Sequence, residues 1–320
     1  MARQVQVRSD IPHERPAFTV NQACGSGLQS ILIGAERIAR GRARAVLAGG
    51  AENMTRVPYY LERARLGYRM GHAPVVDGMY RDGFLDPICG MIMGETAEKL
   101  ADLHSIPRDE QDAYALESQR RAGAALRAKR FAAELAPVEV KGRRGESRIV
   151  DTDEHPRPDT TPEELAKLPP VFRKDGTVTA GNASGITDGA ASLVLAGESL
   201  VRERGLQPLA WLGESEVVGV DPSIMGIGPV PATRALLART RRSLADYELI
   251  ELNEAFAAQV LACDRELGLD RSRLNVNGGA IALGHPIGCT GARIVVTLVH
   301  EMVRRGAGLG LALELQRGRG

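Results

Sequence analysis

Val20-Asn21-Gln22-Ala23-Cys24-Gly25-Ser26-Gly27-Leu28-Gln29 is the stretch on which the fold of this chain turns. Before it, Pro16 to Val20 reads as a short strand. After it, Leu28, Ile31, Leu32, Ala35, Ile38 and Ala39 recur at helical spacing and give one apolar face. Gly41 ends that helix, and Ala45-Val46-Leu47-Ala48-Gly49-Gly50 reads as a short buried strand. Strand, helix and strand in this order predict a βαβ crossover, hence a parallel sheet covered by helices.

A second unit of the same kind lies near the other end. Glu248 to Leu252 reads as a strand, Ala255 to Leu267 as a helix and Asn275 to Gly279 as a turn. Gly288-Cys289-Thr290-Gly291 then opens a helix with Ile294, Val295, Leu298, Val299 and Met302 on one face, and Leu309 to Leu313 starts a strand. Both units hold a glycine turn with a cysteine, an amphipathic helix and a strand. This suggests an internal duplication and an α/β chain of two similar domains, residues 1–204 and 205–320.

Residues 57–178 between them read as an insertion that covers a site. Tyr59, Tyr60, Tyr68, Met70, Met79, Tyr80 and Phe84 cluster early, a charged amphipathic helix runs from about Arg108 to Lys129, and a loop rich in proline follows. Ala190 to Ala196 resumes a buried strand.

Bulk properties exclude several classes. A chain of 320 residues with 43% hydrophobic content can bury a large core. Its 41 Lys and Arg against 40 Asp and Glu argue against nucleic-acid binding by bulk charge. No stretch approaches the roughly 20 apolar residues of a membrane helix. The four cysteines (Cys24, Cys89, Cys263, Cys289) show neither a disulfide framework nor zinc spacing, so a cytoplasmic, metal-free protein is expected. Met1 to Pro12 holds no apolar run of the kind a targeting peptide carries.

Three segments carry candidate chemistry. Cys24 opens a helix, where the dipole and free N–H groups favour a thiolate, and Gly25 and Gly27 let a substrate come close. The competing reading is a small buried cysteine in a glycine turn. His285, in Gly284-His285-Pro286-Ile287-Gly288, suits a base or a thiolate's partner, or is a loop histidine bonded to backbone. Asn253, in Asn253-Glu254-Ala255-Phe256, either caps a helix or presents an amide at the sheet's carboxyl edge.

Taken together, these segments resemble the thiolase family, in the same order along the chain. Gly176-Thr177-Val178-Thr179-Ala180-Gly181-Asn182-Ala183-Ser184-Gly185, followed by Asp188-Gly189-Ala190-Ala191, is similar to a further family segment, and the likeness runs from about Ala17 to Gly310. It implies duplicated α/β layers, with mixed sheets covered by helices and an inserted loop domain. It also implies an acyltransferase that condenses or thiolytically cleaves acetyl-CoA or short 3-ketoacyl-CoA through an acyl-cysteine. Cys24 would take the acyl group, His285 would activate it and help hold the thioester oxygen, and Asn253 would position a water completing the oxyanion site. Ser184 falls on the pantetheine contact, Arg157 on the arginine beside the adenine, and Phe172, Met93 and Phe256 on the pantetheine and acyl pocket. Coenzyme A thioesters are then substrates, no cofactor is implied, and a homo-oligomer is expected.

The chain also departs from the resemblance. Family members carry a second catalytic cysteine in a Cys-x-Gly-x-Gly loop, whereas this chain reads Leu313-Glu314-Leu315-Gln316-Arg317-Gly318. Cys289 is the other cysteine near His285 and reads as a packing residue. Members also hold a further segment before the point matching Ala2, so the expectation is a chain short at both ends. This motivates an alternative, a catalytically incomplete acyl-CoA-binding or subunit-interaction protein. A ketoacyl synthase is disfavoured by Asn253-Glu254-Ala255-Phe256.

Overall fold

The computed structural model of the chain describes residues 1–142 and 145–315. The elements that position the site are α1 (Ser26–Ala39), β1 (Ala45–Glu52), α2 (Met93–Leu103), α3 (Arg108–Arg127), β2 (Gly189–Ala196), β3 (Leu249–Leu252), α4 (Ala257–Leu267), α5 (Ile287–Arg305) and β4 (Gly310–Leu313). Helix α4 is the centre of the larger core. Every residue from Ala257 to Cys263 is buried, which is why this helix shows no polar face in the sequence. Around it pack Leu100 and Ala101 of α2, Tyr114 and Ala115 of α3, Ile250 and Leu252 of β3, and Leu311 and Leu313 of β4.

The second unit forms as its pattern implies: β3 and β4 pair in parallel, Leu249 opposite Gly310 through Leu252 opposite Leu313. The first unit does not. Strand β1 pairs antiparallel with β2, from Ala45 opposite Ala196 to Glu52 opposite Gly189. Pro16 to Val20 adopts no strand, and the nearest bridge joins Gln22 and Cys24. The reason is that a strand exists only with a partner, and periodicity does not name one. Pro16 also brings no N–H to a ladder. Nor is β1 buried throughout, because its ribbon with β2 covers the core with one face. Ala48, Leu193 and Leu195 pack inward with Ile31 and Ala292, while Leu47 and Val194 stand exposed, as antiparallel ribbons allow.

The two cysteine-bearing turns are joined through reciprocal close packing. A Cβ on Gly27 would lie 2.5 Å from the Ala292 backbone nitrogen, and one on Gly291 would lie 2.4 Å from that of Leu28. Each helix start therefore uses its glycine to admit the other's backbone, which places Ser26-Gly27-Leu28 and Thr290-Gly291-Ala292 as counterparts. Helix α5 also packs on β1, β2, β3 and β4, and so connects the two units.

Within residues 57–178 the structure is more than a cover. Helix α3 matches the expected charged helix, ending at Arg127 where Lys129 turns to φ +53°. It and α2 supply core residues, and Tyr114 and Ser118 of α3 bond the buried Glu254 carboxylate at 2.9 and 2.7 Å. Asn275 Nδ2 and the Ile281 N–H complete the cluster on Glu254.

Candidate active site

Cys24 sits in a turn whose bonds are all local. The Asn21 side chain accepts from the Ala23 N–H at 3.1 Å. The Ser26 hydroxyl accepts from the Gln22 N–H at 2.8 Å and donates to the Ala23 carbonyl at 2.6 Å. These hold Ala23 at φ +47° and set Cys24, half-buried, just before the first turn of α1. The unpaired N–H groups of a helix start favour a thiolate there.

His285 comes from the other unit. Its Nε2 lies 3.2 Å from Cys24 Sγ, and its Nδ1 lies 2.6 Å from the Thr290 hydroxyl. Thr290 donates its single hydroxyl proton to the Pro286 carbonyl at 3.0 Å, so toward His285 it acts as acceptor. Nδ1 therefore carries the ring proton, and Nε2 offers its lone pair to the thiol. Burial, followed by the charge of Arg293, pushes the imidazole down to about 3. The resting histidine is therefore neutral, with its Nε2 lone pair turned toward the Cys24 thiol. Its backbone is held by an N–H bond to the Gly185 carbonyl at 3.3 Å. Gly284 before it turns at φ +95° against Thr187, where no side chain fits.

Asn253 does not cap a helix: α4 starts at Ala257 with Phe256 as its cap residue. It is fully buried, and its Nδ2 donates to Glu314 Oε1 at 2.8 Å and lies 3.4 Å from His285 Nε2. The parallel register explains the meeting. Asn253 and Glu314 are the residues next after the pair Leu252–Leu313, so both project from the carboxyl ends of β3 and β4.

The other expected residues fall into two groups. Phe172 and Phe256 meet edge to face, 6.1 Å between centroids, and Phe172 lies flat against Gly94 beside Met93. Met93 and Phe256 pack with Met225, Ala255 and Leu315. Ser184 joins this wall through its N–H to the Ala255 carbonyl at 3.0 Å. Arg157 stands apart and exposed, its backbone N–H bonded to Gln119. It also acts on the half-buried His155, whose ring it helps hold below its usual range after burial, and which packs against Gly185 next to Ser184.

Three residues of this constellation were not singled out for the site from the sequence. Thr290 sets the tautomer of His285, and its signal was its place five residues on in the same helix-opening turn. Glu254 anchors the segment that carries Asn253. Glu314 bonds Asn253, and burial pushes its carboxyl up to about 8. Cys289 is buried and its thiol is pushed up to about 12 by that burial, which suits packing.

A family model described as Thiolase, N-terminal domain matches residues 1–199, and one described as Thiolase, C-terminal domain matches residues 206–318. The chain belongs to the thiolase family. A thiolase-family relative named acetyl-CoA acetyltransferase, from Pseudomonas aeruginosa, is 53% identical over 97% of this chain and 79% of its own length. The mitochondrial 3-ketoacyl-CoA thiolase of Bos taurus is 50% identical over 96% of this chain and 77% of its own. Among solved thiolase structures, the Bacillus anthracis acetyl-CoA acetyltransferase superposes with TM-score 0.95 at 45% identity, covering 99% of this chain and 82% of that one. The human mitochondrial 3-ketoacyl-CoA thiolase in complex with CoA does so with TM-score 0.93 at 47% identity over the same shares. The α/β architecture is thus that of the thiolases.

Among the described residues, no helix is long and apolar enough to cross a membrane, and no three His, Cys, Asp or Glu side chains are grouped to hold a metal ion.

Proposed function

We propose that this thiolase-family enzyme transfers acyl groups between coenzyme A thioesters through an acyl-Cys24 intermediate, using acetyl-CoA or a short 3-ketoacyl-CoA. The observation that carries the reading is the contact of 3.2 Å between Cys24 Sγ and a His285 Nε2 whose lone pair is aimed by Thr290. His285 takes the thiol proton as Sγ attacks the thioester carbon, and the CoA thiolate leaves with a proton returned by the imidazolium. Asn253 supplies an amide N–H beside the developing oxyanion. The wall of Phe172, Met93, Phe256 and Ser184 suits the pantetheine arm, and the exposed Arg157 suits the phosphates or adenine. Thiolate chemistry of this kind needs no prosthetic group.

The aromatic and aliphatic side chains Tyr59, Leu61, Leu66 and Met70 stand exposed in one segment. Apolar exposure of this extent supports a homo-oligomer, and the bacterial relatives support a cytoplasmic setting.

Intact-mass spectrometry of the folded chain after incubation with acetyl-CoA tests the function. One acetyl adduct on the parent and none on Cys24→Ala is expected. No adduct on folded parent, or an equal adduct on Cys24→Ala, would overturn it.

A further inference from the structure

Condensation of two acyl-CoA molecules needs more than a nucleophile. Once Cys24 carries the first acyl group, the second acyl-CoA must lose a proton from its α-carbon, and neither Cys24 nor an imidazole engaged with the acyl oxygen is available to take it. Among the described residues, a further carboxyl, that of Glu314, is bonded into the site. Asn253 Nδ2 joins Glu314 Oε1 on one side to His285 Nε2 on the other, so this carboxyl stands one amide away from the imidazole that contacts Cys24. Resting on the function proposed above, we propose that Glu314 is a second catalytic residue, the base that removes the α-proton of the incoming acyl-CoA.

Three observations support this assignment. The first is position: parallel register delivers Glu314 beside Asn253 at the carboxyl edge of the sheet, and the next residue, Leu315, packs on Met93 and Phe256 of the apolar wall. The second is a free acceptor. Oε1 is engaged by Asn253 and by the Leu315 N–H at 3.0 Å, whereas Oε2 is closed off from solvent with no hydrogen-bond partner among the described residues. A buried carboxylate oxygen of this kind is costly as structure alone. The third is basicity. Burial outweighs the bonds from Leu315 and Asn253 and the charge of Arg293, and raises the carboxyl to about 8, near the range where a general base works best at neutral pH.

The step balances. The α-carbon's proton passes to Glu314, and the freed electron pair forms the new carbon–carbon bond to the acyl carbon on Cys24. The carbon–sulfur bond breaks and its pair leaves as the Cys24 thiolate. In thiolysis the order reverses, and protonated Glu314 gives its proton to the departing α-carbon.

The test is exchange of the acetyl-CoA methyl protons in D2O, followed by NMR or mass, beside acetylation of Cys24 read by intact mass. The comparison is parent against Glu314→Gln. Expected is acetylation of both proteins, with exchange and condensation in Glu314→Gln reduced about 10²- to 10⁴-fold. If the parent is not acetylated, the proposed function falls and this assignment with it. If the parent is acetylated but exchange is no faster than in buffer, or Glu314→Gln exchanges as fast as the parent, the assignment alone is overturned. Should Glu314→Gln fail to fold, Glu314→Asp decides through the pH profile of exchange. The groups facing the carboxyl are Asn253, the Leu315 N–H, Arg293 and, beyond the amide, His285. In the parent, exchange rises with pH through about 8 as the carboxyl ionises. A profile displaced in Glu314→Asp supports the assignment; an unchanged rate and profile contradict it.

Discussion

The turns at Cys24 and Cys289 are close to being the same piece of structure twice. Each holds a cysteine among glycines, each opens an amphipathic helix, and each admits the other's backbone through a glycine, Gly27 or Gly291. Their hydroxyls also correspond: Ser26 bonds back to the Ala23 carbonyl and Thr290 to the Pro286 carbonyl. Yet Cys24 is half-buried and touches an imidazole, whereas Cys289 is sealed in packing with its thiol pushed up to about 12. The cysteines also sit at different offsets: Cys24 lies two residues before α1, whereas Cys289 is the third residue of α5. The tertiary partner differs as well, and in the second turn it is Thr290, not the cysteine, that contacts His285.

The comparison can be broken at several points. Cys24→Ala has the largest expected effect, with loss of the acyl adduct and of turnover by on the order of 10⁴-fold or more. Equal losses in Cys289→Ala would show that the two turns are not functionally divided. Thr290→Val removes the acceptor on Nδ1 and frees the tautomer of His285. Turnover is expected to fall about 10- to 100-fold in steady-state assays, with the fold kept by circular dichroism. A variant as active as the parent would mean that Thr290 does not aim the ring.

Gly27→Ala and Gly291→Ala test the reciprocal packing. Each new methyl meets backbone, which cannot swing aside as a side chain can. Both variants are expected to lose about 1–3 kcal/mol in denaturant unfolding, and by similar amounts. A large loss from one and none from the other would disprove the pairing. Cys289→Ala should change least, with activity intact and stability reduced by about 1 kcal/mol.

A pH series sharpens the electrostatic half of the comparison. Glu314 and Glu251 are each pushed from an ordinary 4.5 up to about 8 by burial. The folded chain then retains protons that the unfolded chain releases above pH 4.5. Their stabilisation is full below that value and is lost as pH rises through about 8. His285 acts at the other end: its pKa is lowered from 6.5 to about 3, so its contribution is present above 6.5 and is lost as pH falls through about 3. A Tm that declines from pH 6 to pH 9, and declines less in Glu314→Gln, is expected; a parent Tm that rises over that range would contradict the burial argument.

The sequence made some of this legible and not the rest, for physical reasons. Periodicity marked α1, α3 and α5 because each helix writes its own buried stripe, α4 read as a helix though it is buried on all sides from Ala257 to Cys263, and the β3–β4 unit followed from strands read as apolar runs. It misplaced the first unit's pairing, since β1 finds β2 across the whole stretch of residues 57–178 and no local signal records that choice. Cys24, Asn253 and His285 were each visible as residues of chemical type in glycine-rich or strand-end contexts, with a bland reading beside each. That they converge is a tertiary fact. Thr290 and Glu314 carried no such context: one stood in a helix-opening turn, the other in the segment that departs from the family's Cys-x-Gly-x-Gly loop. Glu314 gains its environment only from the register of two parallel strands.

The central claim is that His285, more than the turn, makes Cys24 the reactive thiol. Iodoacetamide labelling of the native chain, with rates read cysteine by cysteine from peptide mass maps, tests it most directly in the parent and in His285→Ala. Cys24 is expected to label far faster than Cys289 in the parent, and to lose most of that advantage in His285→Ala while Cys289 stays unlabelled. Cys24 reacting equally fast with and without the imidazole, or Cys289 reacting as fast as Cys24 in the folded parent, would contradict the account.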